Sequence, residues 1–168
     1  LEFVWMPNPE SLGTDTRILS HVLYQGYCSP GGFDFDLFGV DTPQWINDES
    51  SPDFNAPQRA QDIMNNVDDR LNHYLTDDVM MVFGCDFQYM NAHQNYRNMD
   101  NMIEYINKNH GDKYLFKYST PSAYVAALDK HNVTWPAKYD DMMPYGDGQG
   151  YWTGYFTSRA NLKSYVRD

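Results

Sequence analysis

A chain of 168 residues is long enough for one domain with a real core, and 12 Lys and Arg against 23 Asp and Glu leave it with a net charge of −11 and a pI near 4.6. That balance argues against nucleic-acid and anionic-membrane partners, because both need a basic face, and no apolar stretch reaches the roughly 20 residues of a membrane helix. Aromatic residues make up 16% of the chain, a surplus that favours a ligand-binding surface as well as a core.

In chain order, Leu1 to Trp5 reads as a short buried strand already in mid-fold. It has neither the basic segment nor the long apolar core of a signal peptide, so residues upstream are expected. Met6 to Gly13, with two prolines and a glycine, reads as loop, and Asp15 to Tyr24 as a short helix capped by Thr14. Gly26 to Pro57 reads as a long surface excursion with at most one short strand, near Phe33 to Phe38. Between Ile18 and Gln58 there is no Lys or Arg, while Asp34, Asp36, Asp41, Asp48, Glu49 and Asp53 all fall there. These acids read as a solvated loop. Asp34-x-Asp36 offers hard oxygen ligands for calcium, but no EF-hand loop surrounds it.

Ala56 to Leu75 carries Ala60, Ile63, Val67, Leu71 and Tyr74 at three- and four-residue spacing, which predicts a helix with one apolar stripe. Val79 to Phe83 reads as a strand. Gln94 to Asn107 predicts a second helix with Tyr96, Met99, Ile103 and Ile106 inward, its methionines filling core. Tyr114 to Tyr118 is the next expected strand. Thr120 then caps a third helix with Pro121 in its first turn and Tyr124, Ala127 and Leu128 buried. Strands alternating with helices imply an α/β fold with a parallel sheet, in which the strands near Val4, Val82 and Phe116 lie adjacent. A loop with three carboxylates follows (Asp140, Asp141, Asp147), and an amphipathic stretch opens at Ser158-Arg159 and stops at Asp168 without a cap.

The most informative residue is Asp86. The run Val79-Met80-Met81-Val82-Phe83 breaks at Gly84 and delivers one carboxylate, followed by Phe87-Gln88-Tyr89. Strand ends at the C-terminal face are where β/α folds place reacting side chains. A carboxylate beside aromatics suits carbohydrate chemistry, the rings stacking on sugar and the acid moving a proton. The same pattern also suits an aspartate that merely caps a loop. Cys28 and Cys85 form neither a disulfide framework nor a zinc motif, and a bridge between them is left open. Asn132-Val133-Thr134 is the sole N-glycosylation sequon. The five histidines, His21, His73, His93, His110 and His131, match no ligand spacing.

Several blocks occur together and in order: Leu1-Glu2-Phe3-Val4-Trp5, Gly84-x-Asp86-Phe87-Gln88-Tyr89, Tyr118-Ser119-Thr120-Pro121, Asp141-x-x-Pro144-Tyr145-x-Asp147 and Tyr151-Trp152-Thr153-Gly154-Tyr155-Phe156-Thr157-Ser158-Arg159. Over essentially the whole chain this set resembles the glycoside hydrolase family 38 α-mannosidases, the lysosomal type more than the Golgi type. Two departures stand out: Cys85 occupies the place before Asp86, and the spacing from Asp147 to Trp152 is one residue short.

The resemblance implies part of a parallel β/α barrel-like catalytic domain over residues 1–157, with the start of a helical domain at 158–168. It implies a retaining exo-mannosidase that hydrolyses terminal α-linked mannose of N-glycans. Asp86 falls on the acid/base position, with a proton affinity expected to be raised by burial near Phe87 and Tyr89 and by a neighbouring carboxylate. Asp147, Trp152 and Tyr89 would bind substrate, a buried interface tryptophan being the lesser alternative for Trp152. A zinc ion is implied, with its ligands and the nucleophile outside this chain. The implied partners are other segments or chains of the same enzyme and a mannose-containing oligosaccharide. A glycan on Asn132 and an acidic, lysosome-like compartment complete the expectation. A non-catalytic carbohydrate-binding or scaffold module is the alternative that composition alone suits as well.

Overall fold

The computed structural model describes residues 1–36 and 42–167 and is mixed α/β. In chain order the elements are β1 (Glu2–Trp5), α1 (Pro9–Leu12), β2 (Ile18–His21), α2 (Ala56–Leu71), α3 (Ala92–Asn109), α4 (Pro121–Asp129), β3 (Ala137–Lys138), β4 (Gly146–Asp147), β5 (Gly150–Tyr151), α5 (Gly154–Thr157) and α6 (Ala160–Arg167). One sheet has the order β2-β1-β3, with β1 and β3 parallel and Val4 opposite Ala137; β4 and β5 form an antiparallel pair. The chain divides into two compact units. One holds Leu1–Phe3 and Ser20–Pro136, the other Val4–Leu19 and Ala137–Asp168.

The first unit is built on α2 and α3. Ala56, Ala60, Ile63 and Met64 of α2 meet Met99, Met102 and Ile106 of α3 in one buried cluster. α2 begins where the periodicity places it and ends four residues short of the expected Leu75; Tyr74 beyond it is still buried. α3 buries Met99 and Ile106 as expected and leaves Ile103 half-buried, but Tyr96 is exposed and Asn95 and Asn98 are buried beside the apolar stripe. These amides are satisfied: Asn98 accepts from the Trp45 amide at 2.6 Å and donates to Gln44 and to the Gln94 carbonyl, and Asn95 donates to Asp36 at 2.8 Å. α4 follows the expectation. Thr120 Oγ1 accepts from the Ala123 amide at 3.2 Å, Pro121 opens the first turn, and Tyr124 and Leu128 are buried.

The stretch from Gly26 to Pro57 is no mere surface excursion, for it sends Phe33, Phe35 and Trp45 into the core beside α2 and α3. Each such side chain contributes roughly 1.5–3 kcal/mol by leaving water. Of the strand expected near Phe33 to Phe38, Phe33–Asp36 form none; residues 37 and 38, like Asp41 and Asp168, lie outside the described residues. Asp36 is likewise buried, not a solvated acid.

Two further expectations are corrected. Residues 15–24 form no helix; Ile18–His21 is strand β2, and Thr16 rather than Thr14 makes the local bond, to the Leu12 carbonyl at 2.8 Å. A β-branched residue entering a sheet beside β1 outweighs the weak cap signal. Residues 79–83 and 114–118 are likewise not strands. Side chains take up part of their backbone: Asn107 bonds both N–H and C=O of Phe116 at 2.8 Å, and the Tyr89 hydroxyl donates to the Phe83 carbonyl at 2.8 Å. The three segments near Val4, Val82 and Phe116 therefore do not form one sheet among the described residues.

In the second unit, Asn8 caps α1 by accepting from the Ser11 amide at 3.1 Å, within the span expected to be loop. The Trp5 indole donates to the Asp140 carbonyl at 2.7 Å, and Lys138 pairs with Asp140. α6 falls where the amphipathic stretch predicts it.

Candidate functional site

Gly84 to Tyr89 forms a tight turn in the first unit. Gly84 has φ +139°, a value side chains rarely adopt, and a Cβ there would meet the Tyr89 ring at 3.1 Å. Phe87 and Tyr89 follow at φ 62° and 66°. Non-glycine residues held in that region store strain of order 1–3 kcal/mol each, so the surroundings must over-determine the turn.

They do so from both sides. Cys85 is disulfide-bonded to Cys28 across a separation of 57 residues, a closure worth about 4 kcal/mol in the chain-entropy picture. This answers the question the two cysteines left open. The Ser29 amide donates to the Gly84 carbonyl at 2.7 Å, and the Gly84 amide donates to Ser29 Oγ at 2.8 Å. On the other side, the Tyr89 amide donates into the buried Asp36 carboxylate, and Gln88 donates to Asp34 at 3.2 Å. The Asp34-x-Asp36 pair is thus a clasp for this turn.

The turn leaves Asp86 exposed, with the Tyr27 hydroxyl donating to its Oδ1 at 2.9 Å. The burial expected around it is not found: Phe87 is 84% exposed. Tyr89 has its hydroxyl committed to Phe83, its ring 5.8 Å from that of Tyr96, and its phenol pushed above the usual value by burial. What the arrangement offers chemically is one accessible carboxyl group on a rigid turn, with one of its oxygens already engaged.

The second unit holds Asp147 and Trp152. Asp147 Oδ2 accepts from the Trp152 indole at 2.9 Å, and its Oδ1 accepts from the amides of Gln149 and Gly150 at 2.8 and 3.1 Å. The indole bond first, then the Gln149 amide, hold this carboxyl below its usual range. The Trp152 ring is 46% exposed, 5.8 Å from Tyr145 and 6.0 Å from Tyr155, nearly parallel to the latter. A carboxylate beside an open aromatic row can grip hydroxyls while a ring covers an apolar sugar face.

Among the described residues no three His, Cys, Asp or Glu side chains gather closely enough to hold a metal ion. His21, His73 and His131 have other partners: Glu2 and Tyr74, Tyr24, and Asp78. The described residues do not fit a zinc centre. Asn132 is exposed at φ 49° just past the end of α4, and Thr134 is exposed too.

Sequence reasoning missed Tyr27 and the structural part of Asp36, both of which act across more than 50 residues of chain. Only the Cys28 and Cys85 pair hinted at that closure. It also missed a buried group in which Glu2, 3% exposed, accepts from the Tyr124 hydroxyl at 2.7 Å and meets His21 Nδ1 at 3.1 Å. Burial first, then the bond to Glu2, push the Tyr124 phenol far above its usual value.

A mixed α/β chain that presents a lone carboxylate on a strained turn, and elsewhere a carboxylate beside open aromatics, has the makings of a carbohydrate-active protein. Residues 1–148 match the N-terminal domain of the glycosyl hydrolases family 38. Over 99% of its length the chain is 41% identical to a lysosomal alpha-mannosidase of Dictyostelium discoideum and 36% identical to that of Homo sapiens. It is 39% identical to an alpha-mannosidase of Arabidopsis thaliana. The chain belongs to glycosyl hydrolase family 38. It spans 16% of the length of the Dictyostelium relative and 17% of the human one.

Proposed function

We propose that this chain is part of a retaining exo-α-mannosidase that removes terminal α-linked mannose from N-glycan oligosaccharides, and that Asp86 is its general acid/base. Family membership and relatives named as α-mannosidases support the reaction class. The observation that carries the residue is the exposed carboxyl of Asp86, held at the tip of a turn that disulfide, backbone and Asp36 bonds over-determine.

In the first half of the reaction, protonated Asp86 donates to the glycosidic oxygen as a carboxylate from elsewhere in the enzyme attacks the anomeric carbon. In the second half, ionised Asp86 takes a proton from the water that releases mannose. Asp147 and Trp152 are proposed as sugar-binding residues, with the ring of Tyr89 as a further contact. The described residues do not gather to hold zinc, and on this reading the metal and the nucleophile belong to the rest of the enzyme.

The proposal extends to architecture and setting. Residues 79–83 and 114–118 are apolar in pattern and form neither helix nor paired strand among the described residues. That suits strands of a β/α barrel-like domain whose neighbours lie elsewhere in a protein about six times longer. Residues 158–168 would open the helical domain that follows. Other segments of the same enzyme are then the partners, and the lysosome or a similar acidic compartment is the setting.

The test is leaving-group dependence. In the enzyme that carries this chain, Asp86→Ala should lower turnover of oligosaccharide substrates by roughly 10²–10⁴-fold. Activated aryl mannosides, which need little protonation, should lose far less. Equal loss on both substrates contradicts the acid role, and unchanged turnover on both favours a non-catalytic binding module.

A further inference from the structure

We propose that Tyr27 is the positioning residue of Asp86: its hydroxyl occupies one carboxyl oxygen and leaves the other to carry the transferred proton. The inference rests on the reading of Asp86 as acid/base.

Three consecutive residues face three others in antiparallel order. Tyr27 bonds Asp86, Cys28 is bridged to Cys85, and Ser29 exchanges two hydrogen bonds with Gly84. The outer bond is 2.9 Å long and spans 59 residues of sequence. A lone exposed tyrosine would sample many rotamers before meeting an exposed aspartate. Here the covalent bridge and the two serine bonds fix the backbone on either side of both residues, so the meeting is built in.

The consequence is chemical. A carboxylic acid has two oxygens and one proton. With the Tyr27 O–H donating to Oδ1, that oxygen serves as the carbonyl acceptor, and the proton sits on Oδ2. Oδ2–H then gives its proton to the glycosidic oxygen, and Oδ2 later receives one from water. Tyr27 keeps its own proton throughout.

The experiment is Tyr27→Phe in the enzyme that carries this chain, compared with Asp86→Ala. The phenylalanine keeps the ring and removes only the donor. The expected result is an approximately tenfold fall in kcat/KM on oligosaccharide substrates, little change on activated aryl mannosides, and an unchanged melting temperature. An unaltered ratio between the two substrate classes overturns the proposal, provided Asp86→Ala is impaired as expected. So does an equal fall on both substrates with a lowered melting temperature, which is the signature of a purely structural contact. If Asp86→Ala itself leaves oligosaccharide turnover intact, the acid/base reading fails first and the role of Tyr27 fails with it.

Discussion

Asp147 accepts from one indole and two amides, and each of these donors favours its ionised form. Its proton affinity is therefore lower folded than unfolded. The stabilisation is present above the unfolded value of about 3.9 and is lost as pH falls through the lower folded value. The Trp152 indole N–H resonance should accordingly stay fixed from neutral pH through lysosome-like acidity and move only below the ordinary aspartate range. Movement already around pH 5 contradicts the bond. At this scale the sequence was informative where side chains sit in a local pattern. Asp86 stands out because a glycine ends an apolar run, whereas Asp147 and Trp152 came only from the motif blocks that carry the family resemblance. Tyr27 and Asp36 were illegible for a physical reason. Their partners lie 59 and 53 residues away, and hydrogen bonds across such distances leave no periodicity to read.

The elements divide along the same line. α2 and α4 were legible because an apolar stripe in one, and a Thr-Pro start in the other, are local signals. β2 was not, since a four-residue strand exists only by virtue of the strand beside it. The inward face of α3 was legible at Met99 and Ile106 but not at Asn95 and Asn98, because a hydropathy pattern places amides outside. That arrangement makes a testable contrast. Asn98→Ala strips the buried Trp45 amide and Gln44 of their partner and should destabilise the chain by about 2–3 kcal/mol. Thr120→Ala, which removes only an exposed cap, should cost about 1 kcal/mol. Urea unfolding with unchanged m-values measures both. A loss at Asn98 no larger than that at Thr120 would show that the buried amide network does not hold α3 to the 42–55 stretch.

For the whole molecule, the net charge of −11 makes acid conditions favourable, because partial protonation of carboxylates relieves self-repulsion. The exposed Asn132 and Thr134 leave the sequon open to modification. Protein from its native source should carry a glycan on Asn132, found by mass spectrometry of the peptide, and its activity should peak on the acid side of neutrality. An unmodified Asn132 together with a neutral optimum contradicts the acidic compartment. The family was legible from motif blocks, and the chain is mixed α/β as expected, although two of the three strands on which that alternation was read are not strands. The sheet pairing was not legible, because the 79–83 and 114–118 segments take side-chain partners rather than strand partners within this chain. The central claim, that Asp86 moves the proton, is tested most directly by azide trapping. In the enzyme that carries this chain, Asp86→Ala with an activated aryl mannoside should accumulate a mannosyl intermediate. Added azide should then restore turnover and yield α-mannosyl azide, since azide needs no general base. Mannose as the sole product, with no acceleration by azide, would contradict the account.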